Sequence, residues 1–241
     1  MRYAFMSFLL VLLVAVAHGE PGRLVVGDFS PLPTDKMLPD RWDPLVFDGI
    51  DNHTVYTHVS DGGVGVIRAE SVNSSSGLVR KLLIDPESFS HVSWRWKIED
   101  VVAGADLTRK KGDDAPARIY ITFAYDAGDV GFFERLKFAS IKLFYGEYPP
   151  VGALMYVWAS QTPKGTILES PYTDRVKLIV LESGAENKGQ WQQEQRNVAE
   201  DYRQAFGGTQ VPEISGVALM TDTDNTGGQA TAWYGDIVFL R

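Results

Sequence analysis

Residues His91–Glu99, HVSWRWKIE, alternate without a break: Val92, Trp94, Trp96 and Ile98 fall on one side, Ser93, Arg95, Lys97 and Glu99 on the other. A period of two over that length fits a strand with one face buried and the other in water or lining a groove. Arg118–Tyr125 behaves the same way, with Ile119, Ile121, Phe123 and Tyr125 set against Arg118, Tyr120 and Thr122. In Arg175–Leu181, Val176, Leu178 and Val180 oppose Arg175 and Lys177. Strand-like runs recur at Leu24–Val26, Thr54–Val59, Val64–Ala69, Leu78–Ile84, Phe138–Tyr145, Ala153–Ser160, Ile214–Met220 and Ala230–Leu240. Asp61-Gly62-Gly63 between two of them is a hairpin signal. Only one segment has helical spacing: Val198, Tyr202, Ala205 and Phe206, closed by Gly207-Gly208, which predicts a short helix near 198–206. Many short strands with frequent turn signals predict an all-β fold, a β-sandwich or barrel. A final strand beside a long Gly/Asp loop favours a jelly-roll sandwich.

The N-terminus reads as an export signal. Arg2 precedes the apolar run Phe5–Val16, and Ala15-Val16-Ala17 or Ala17-His18-Gly19 supplies a small-residue cleavage pattern. Residues 1–19 are therefore expected to be removed, leaving 20–241 as one β-sandwich domain of about 222 residues in the periplasm or outside the cell. No membrane span is expected in that mature chain. Without Arg2 it has 22 basic against 31 acidic residues, a net charge of −9, which argues against nucleic acid as a partner. Zero cysteines rule out a disulfide framework and thiol chemistry. Composition leaves the oligomeric state open.

Several chemistries are absent. No Gly-rich phosphate loop with its Lys, no HExxH and no GxSxG occurs. The most pointed cluster is the C-terminal loop with Asp222, Asp224, Asn225 and Thr226. Calcium wants six to eight oxygens from such groups, so Asp222, Asp224 and Asn225 are candidate ligands for a structural calcium. An Asx-rich turn bonded to its own backbone, or direct ligand contact, accounts for the same residues. Spacing excludes an EF-hand, since Trp233 stands where its closing Glu is required. Gly112-Asp113-Asp114 precedes Arg118 and is either a polar turn or part of a site with that arginine. Arg95 and Lys97, Arg118, and Arg175 and Lys177 would form a basic strip for an anionic ligand if their strands share one sheet face. Surface ion pairs are the plainer account. Trp94 and Trp96 read as core, and Trp158, Tyr156 and Trp233 lie in strands apolar on both faces. Trp42 and Trp191 sit in polar, loop-like contexts where a sugar-stacking ring would be sought.

The strings Trp94-Arg95-Trp96-Lys97, Gly112-Asp113-Asp114-Ala115-Pro116-Ala117-Arg118-Ile119-Tyr120, Tyr156-Val157-Trp158-Ala159, Arg196-Asn197-Val198 with Asp201-Tyr202, Met220 through Gly227, and Tyr234-Gly235-Asp236-Ile237 resemble a bacterial exported family, the domain of unknown function numbered 3047. The resemblance covers nearly the whole mature chain and implies export but no activity. The C-terminal pattern is similar, more loosely, to galactose-binding-like jelly rolls, which often hold a structural calcium; that likeness concerns fold. The reading is a ligand-binding sandwich for a carbohydrate or other small molecule, with Arg95, Lys97, Asp113, Asp114, Arg118, Tyr120, Trp158, Arg196 and Asp236 as candidate ligand contacts. A polysaccharide hydrolase would use two carboxylates among Asp113, Asp114, Asp222, Asp224 and Glu182. A lyase would use Tyr120 or Tyr234 as base, with Arg118 facing a substrate carboxylate. A cell-envelope scaffold, binding protein through a flat apolar patch, is the third class.

Overall fold

The computed structural model describes residues 22–33, 38–125 and 150–241. The expected signal segment 1–19 and the expected strand Phe138–Tyr145 lie outside them. Two sheets stack face to face. One contains β1 (Arg23–Gly27), β3 (Val55–Asp61), β4 (Val64–Val72), β6 (His91–Ile98), β11 (Gln192–Asn197) and β13 (Gln229–Leu240). Its order is β11-β6-β13-β4-β3, with β1 on the second half of β13. The seven-stranded sheet runs β2 (Asp43–Leu45), β5 (Ser75–Ile84), β12 (Ile214–Asp222), β7 (Ala115–Phe123), β8 (Gly152–Ala159), β10 (Thr173–Ser183) and β9 (Ile167–Ser170). Among the described residues every pairing is antiparallel except β8 with β10. This is the jelly-roll sandwich expected from the alternation.

The inner faces fill with the large residues that the pattern marks. Trp94 and Trp96 of β6 meet Tyr156 and Trp158 of β8 across the sandwich, with ring centroids 5.2 and 6.1 Å apart. All four rings are buried, so each removes about 150–250 Å² of largely apolar surface from water. Ile119, Ile121 and Phe123 of β7 and Tyr234, Ile237 and Phe239 of β13 join the same core. The alternation therefore decides the site as well: Arg118, Tyr120 and Thr122 must point outward from the seven-stranded sheet.

The turn at 62–63 is the expected hairpin, with φ of +61° at Gly62 and +83° at Gly63, the signs a two-residue type I′ turn requires. The helix, α1 (Val198–Phe206), has Asn197 as its cap, whose Oδ1 accepts from Glu200 N at 3.0 Å. Three strands carry no readable pattern. β2 and β9 are three and four residues long, and β11 reads QQEQRN. Among the described residues no helix is long and apolar enough to cross a membrane.

Candidate functional site

Asp113 and Asp222, 109 positions apart in sequence, converge on one guanidinium. Arg118 Nε donates to Asp222 Oδ1 at 2.8 Å and Nη2 to Oδ2 at 3.0 Å, a fork-to-fork pair. Its other edge reaches Asp113, with Nη1 3.2 Å from Oδ1 and Nη2 2.7 Å from the backbone oxygen. All three residues are buried, because residues 99–114 cross the outer face of the sheet here and Leu107 packs with Met155, Val157 and Leu178. Asp114 turns the other way. Its Oδ1 accepts from Asn225 N at 3.1 Å and its Oδ2 from Thr226 N at 2.7 Å, so it holds the C-terminal loop by its backbone. One carboxylate oxygen each of Asp114, Asp222 and Asp224 lies within 4.8 Å of the others.

Two carboxylates, Asp113 and Asp222, contact the Arg118 guanidinium, and two more, Asp114 and Asp224, lie in the same nest. Burial, with Asp113 and Asp114 adding repulsion, pushes Asp222 up to about 8 against the pull of Arg118. Burial beside Asp114 raises Asp224 as well. Asn225 spends its Oδ1 on the Tyr172 hydroxyl, at 2.9 Å.

One step along the same outer face, Tyr120 lies beside Met220, its hydroxyl 3.7 Å from the sulfur. Beyond that wall the described residues form a groove. It has a volume of about 570 Å³ and runs over β7, β12 and β5, lined by Tyr120, Tyr125, Phe47 and Met220 with Thr122, Ser215 and Lys81 among them. Among the described residues, charged nest and groove thus occupy adjoining parts of one face.

The remaining expected contacts have other employment. Trp158 is fully buried, and its Nε1 donates to Gly184 O at 3.1 Å; a core ring cannot stack on a ligand. Asp236 accepts from Phe29 N (2.7 Å), Ser30 N (2.8 Å) and Ser30 Oγ (2.6 Å), so it fastens the N-terminal strand's continuation to β13. Arg196 pairs with Asp201, which also accepts from Tyr156 OH at 2.8 Å; the pair ties the helix start to the core. The basic strip is not formed. Arg95 and Lys97 belong to the six-stranded sheet, whereas Arg118, Arg175 and Lys177 belong to the other. Trp42 is buried against Phe29, ring centroids 5.3 Å apart, while Trp191 and Trp233 flank Lys97 at 5.1 and 4.5 Å.

Four of the five carboxylates named for hydrolysis are already engaged. Asp113 and Asp222 share Arg118, Asp114 holds a loop, and Glu182 is held by Lys164 at 2.5 Å and Asn187 at 3.0 Å. Burial raises the Tyr120 and Tyr234 phenols, which is opposite to what a base needs. The groove residues Phe47, Lys81 and Ser215 carry no signal in the sequence, since no spacing relates them.

A family model described as protein of unknown function, DUF3047, matches residues 40–238. The chain is a member of that family. No curated protein is significantly similar to this DUF3047 chain in sequence. Among solved structures it is similar to a family 11 carbohydrate-binding module of a Clostridium thermocellum cellulosomal cellulase, at 11% identity and TM-score 0.46, over 92% of this chain and 96% of that one. A family 12 xyloglucanase from Bacillus licheniformis is similar at 9% identity and TM-score 0.47, over 91% and 99% of the two chains. A family 30 carbohydrate-binding module, also from Clostridium thermocellum, is similar at 8% and 0.42, over 90% and 96%. At these values the likenesses carry no argument about what the DUF3047 chain binds.

Proposed function

We propose that this protein is an exported ligand-binding sandwich whose ligand is a carbohydrate, held in the groove on the outer face of the seven-stranded sheet. The groove itself carries the reading. It falls in the size range of small-molecule sites and combines aromatic walls with a few polar groups. Sugars offer flat C–H faces and hydroxyl edges; Tyr120, Tyr125 and Phe47 meet the faces, and Thr122, Ser215 and Lys81 meet the edges. The carboxylates named for catalysis are absent from its walls, which favours binding over turnover. Export rests on the pattern of Arg2, Phe5–Val16 and the small residues after it.

Affinity electrophoresis against a panel of soluble polysaccharides tests this. Phe47 is 38% exposed, so Phe47→Ala leaves the fold intact. Retardation by a glycan is expected, with about a tenfold loss in that variant, equivalent to about 1.4 kcal/mol. Migration unaffected by every glycan in the panel ends the reading.

The Asp114, Asp222 and Asp224 oxygens favour a second element, a calcium ion in the adjoining nest. The same loop contains Thr226 Oγ1, a buried oxygen with no hydrogen-bond partner. Calcium would take carboxylates and loop carbonyls and would share Asp222 with Arg118. A melt in EDTA and in millimolar CaCl₂ decides. A ligand at a hundred times its Kd stabilises by about 2.7 kcal/mol, and Asp224→Ala should lose that gain. An unchanged melting temperature in metal-free protein removes the ion from the account.

A further inference from the structure

The outer face of the six-stranded sheet presents a guanidinium whose fork is held but not used. Arg95 stacks on Trp191, its Cζ 4.5 Å from the ring centroid. Its shaft runs across Gly235, where a Cβ would stand 2.5 Å from Arg95 Cγ and 2.6 Å from Nε. Stacking on one side and the glycine track beneath fix the fork's position. The neighbouring carboxylate, Asp61, is engaged by Lys97 at 2.6 Å and Trp191 Nε1 at 2.9 Å, and feels Arg95 only through space. Among the described residues the Arg95 guanidinium makes no hydrogen bond and no ion pair. Arg95 lines a groove of about 430 Å³ together with Arg23, Ser93, Gln193, Val238 and Leu240. Asp236 borders that groove as well, but both its oxygens accept from Phe29 and Ser30.

We infer that this groove binds an acidic saccharide, with the carboxylate of a uronic acid seated on the Arg95 fork. A planar guanidinium stacked on an indole keeps its in-plane N–H donors for a bidentate oxyanion, which an ammonium cannot match. Val238 and Leu240 supply an apolar floor for the ring. The site lies on the opposite sheet from the groove proposed above and stands without it. A sulfate or phosphate offers the same oxyanion chemistry, so the test separates them.

The full chain is titrated calorimetrically with trigalacturonate, with its neutral methyl ester and with inorganic sulfate. The acid should bind at least tenfold more tightly than the ester and lose affinity in about 0.5 M NaCl. Arg95→Gln should lose at least tenfold, Arg95→Lys should not restore it, and Leu83→Ala, at an exposed position outside both grooves, should bind as the wild type does. Gly235→Ala, which displaces the arginine shaft without removing the charge, should also weaken binding. No saturable binding of trigalacturonate, or equal binding by Arg95→Gln and Gly235→Ala in folded form, overturns the inference. Sulfate bound as tightly as the uronate would overturn the sugar assignment.

Discussion

Arg118 is held by two carboxylates and a carbonyl in a place with almost no water, and that arrangement makes it costly to disturb from one side. Arg118→Met removes the only cation in contact with Asp113 and Asp222 among the described residues. A loss of about 3–5 kcal/mol is expected, read as a lower urea midpoint, and Asp222→Asn added to it should recover part of the loss. Glu194 gives a pH signature of its own. Burial and the nearby Glu182 push it up to about 7, with Lys164 and the Trp96 Nε1 bond opposing. The folded chain then holds this proton more tightly than the unfolded chain, whose glutamates titrate near 4.3. That stabilisation is complete below about pH 4 and is lost as pH rises through 7. A contribution on the order of 1 kcal/mol is expected after solvent screening of a half-buried group. Melting temperature should fall from pH 5 to pH 8, less steeply in Glu194→Gln.

At the scale of elements, the strands that were legible are those with one face in the core. His91–Glu99 announces itself through four apolar residues at period two, and its partner β13 through an apolar run. β11 has none: Gln192–Asn197 is a strand because it completes the edge of β6, from Gln192 opposite Trp96 to Asn197 opposite His91. Pairing of that kind leaves no trace in composition. Asn197 then ends the strand and caps α1 in the same residue, so Asn197→Ala should cost about 1 kcal/mol, seen as a small drop in melting temperature. The candidate nest was half legible. Asp222, Asp224 and the Gly112–Arg118 segment were visible as polar groups beside strands. Their convergence was not, because it depends on β7 and β12 being neighbours in register, Met220 opposite Arg118. The basic strip failed for the same reason: face can be read from alternation, but sheet membership cannot. Asp236 stood out as a charge inside a strand, and its use, fastening Phe29 and Ser30, comes from a segment more than 200 positions away.

Over the whole molecule, two outer faces offer different chemistry from one chain of acidic charge. The seven-stranded face divides into a sealed ionic nest and an apolar groove, and the six-stranded face carries the Trp191–Lys97–Trp233 stack with Arg95 beside it. Both sheets also share a topological habit. β13 lies in the interior of its sheet, between β6 on one side and β4 and β1 on the other, and β12 lies between β5 and β7. Residues 214–240 therefore supply an interior strand to each sheet. A chain still emerging from a ribosome can pair β7 with β8 and β6 with β11, but neither β6 nor β7 can pair on its second side until those residues arrive. Long-range closure of this sort folds slowly. It leaves strand edges unpaired and in need of protection until residues 214–240 are available.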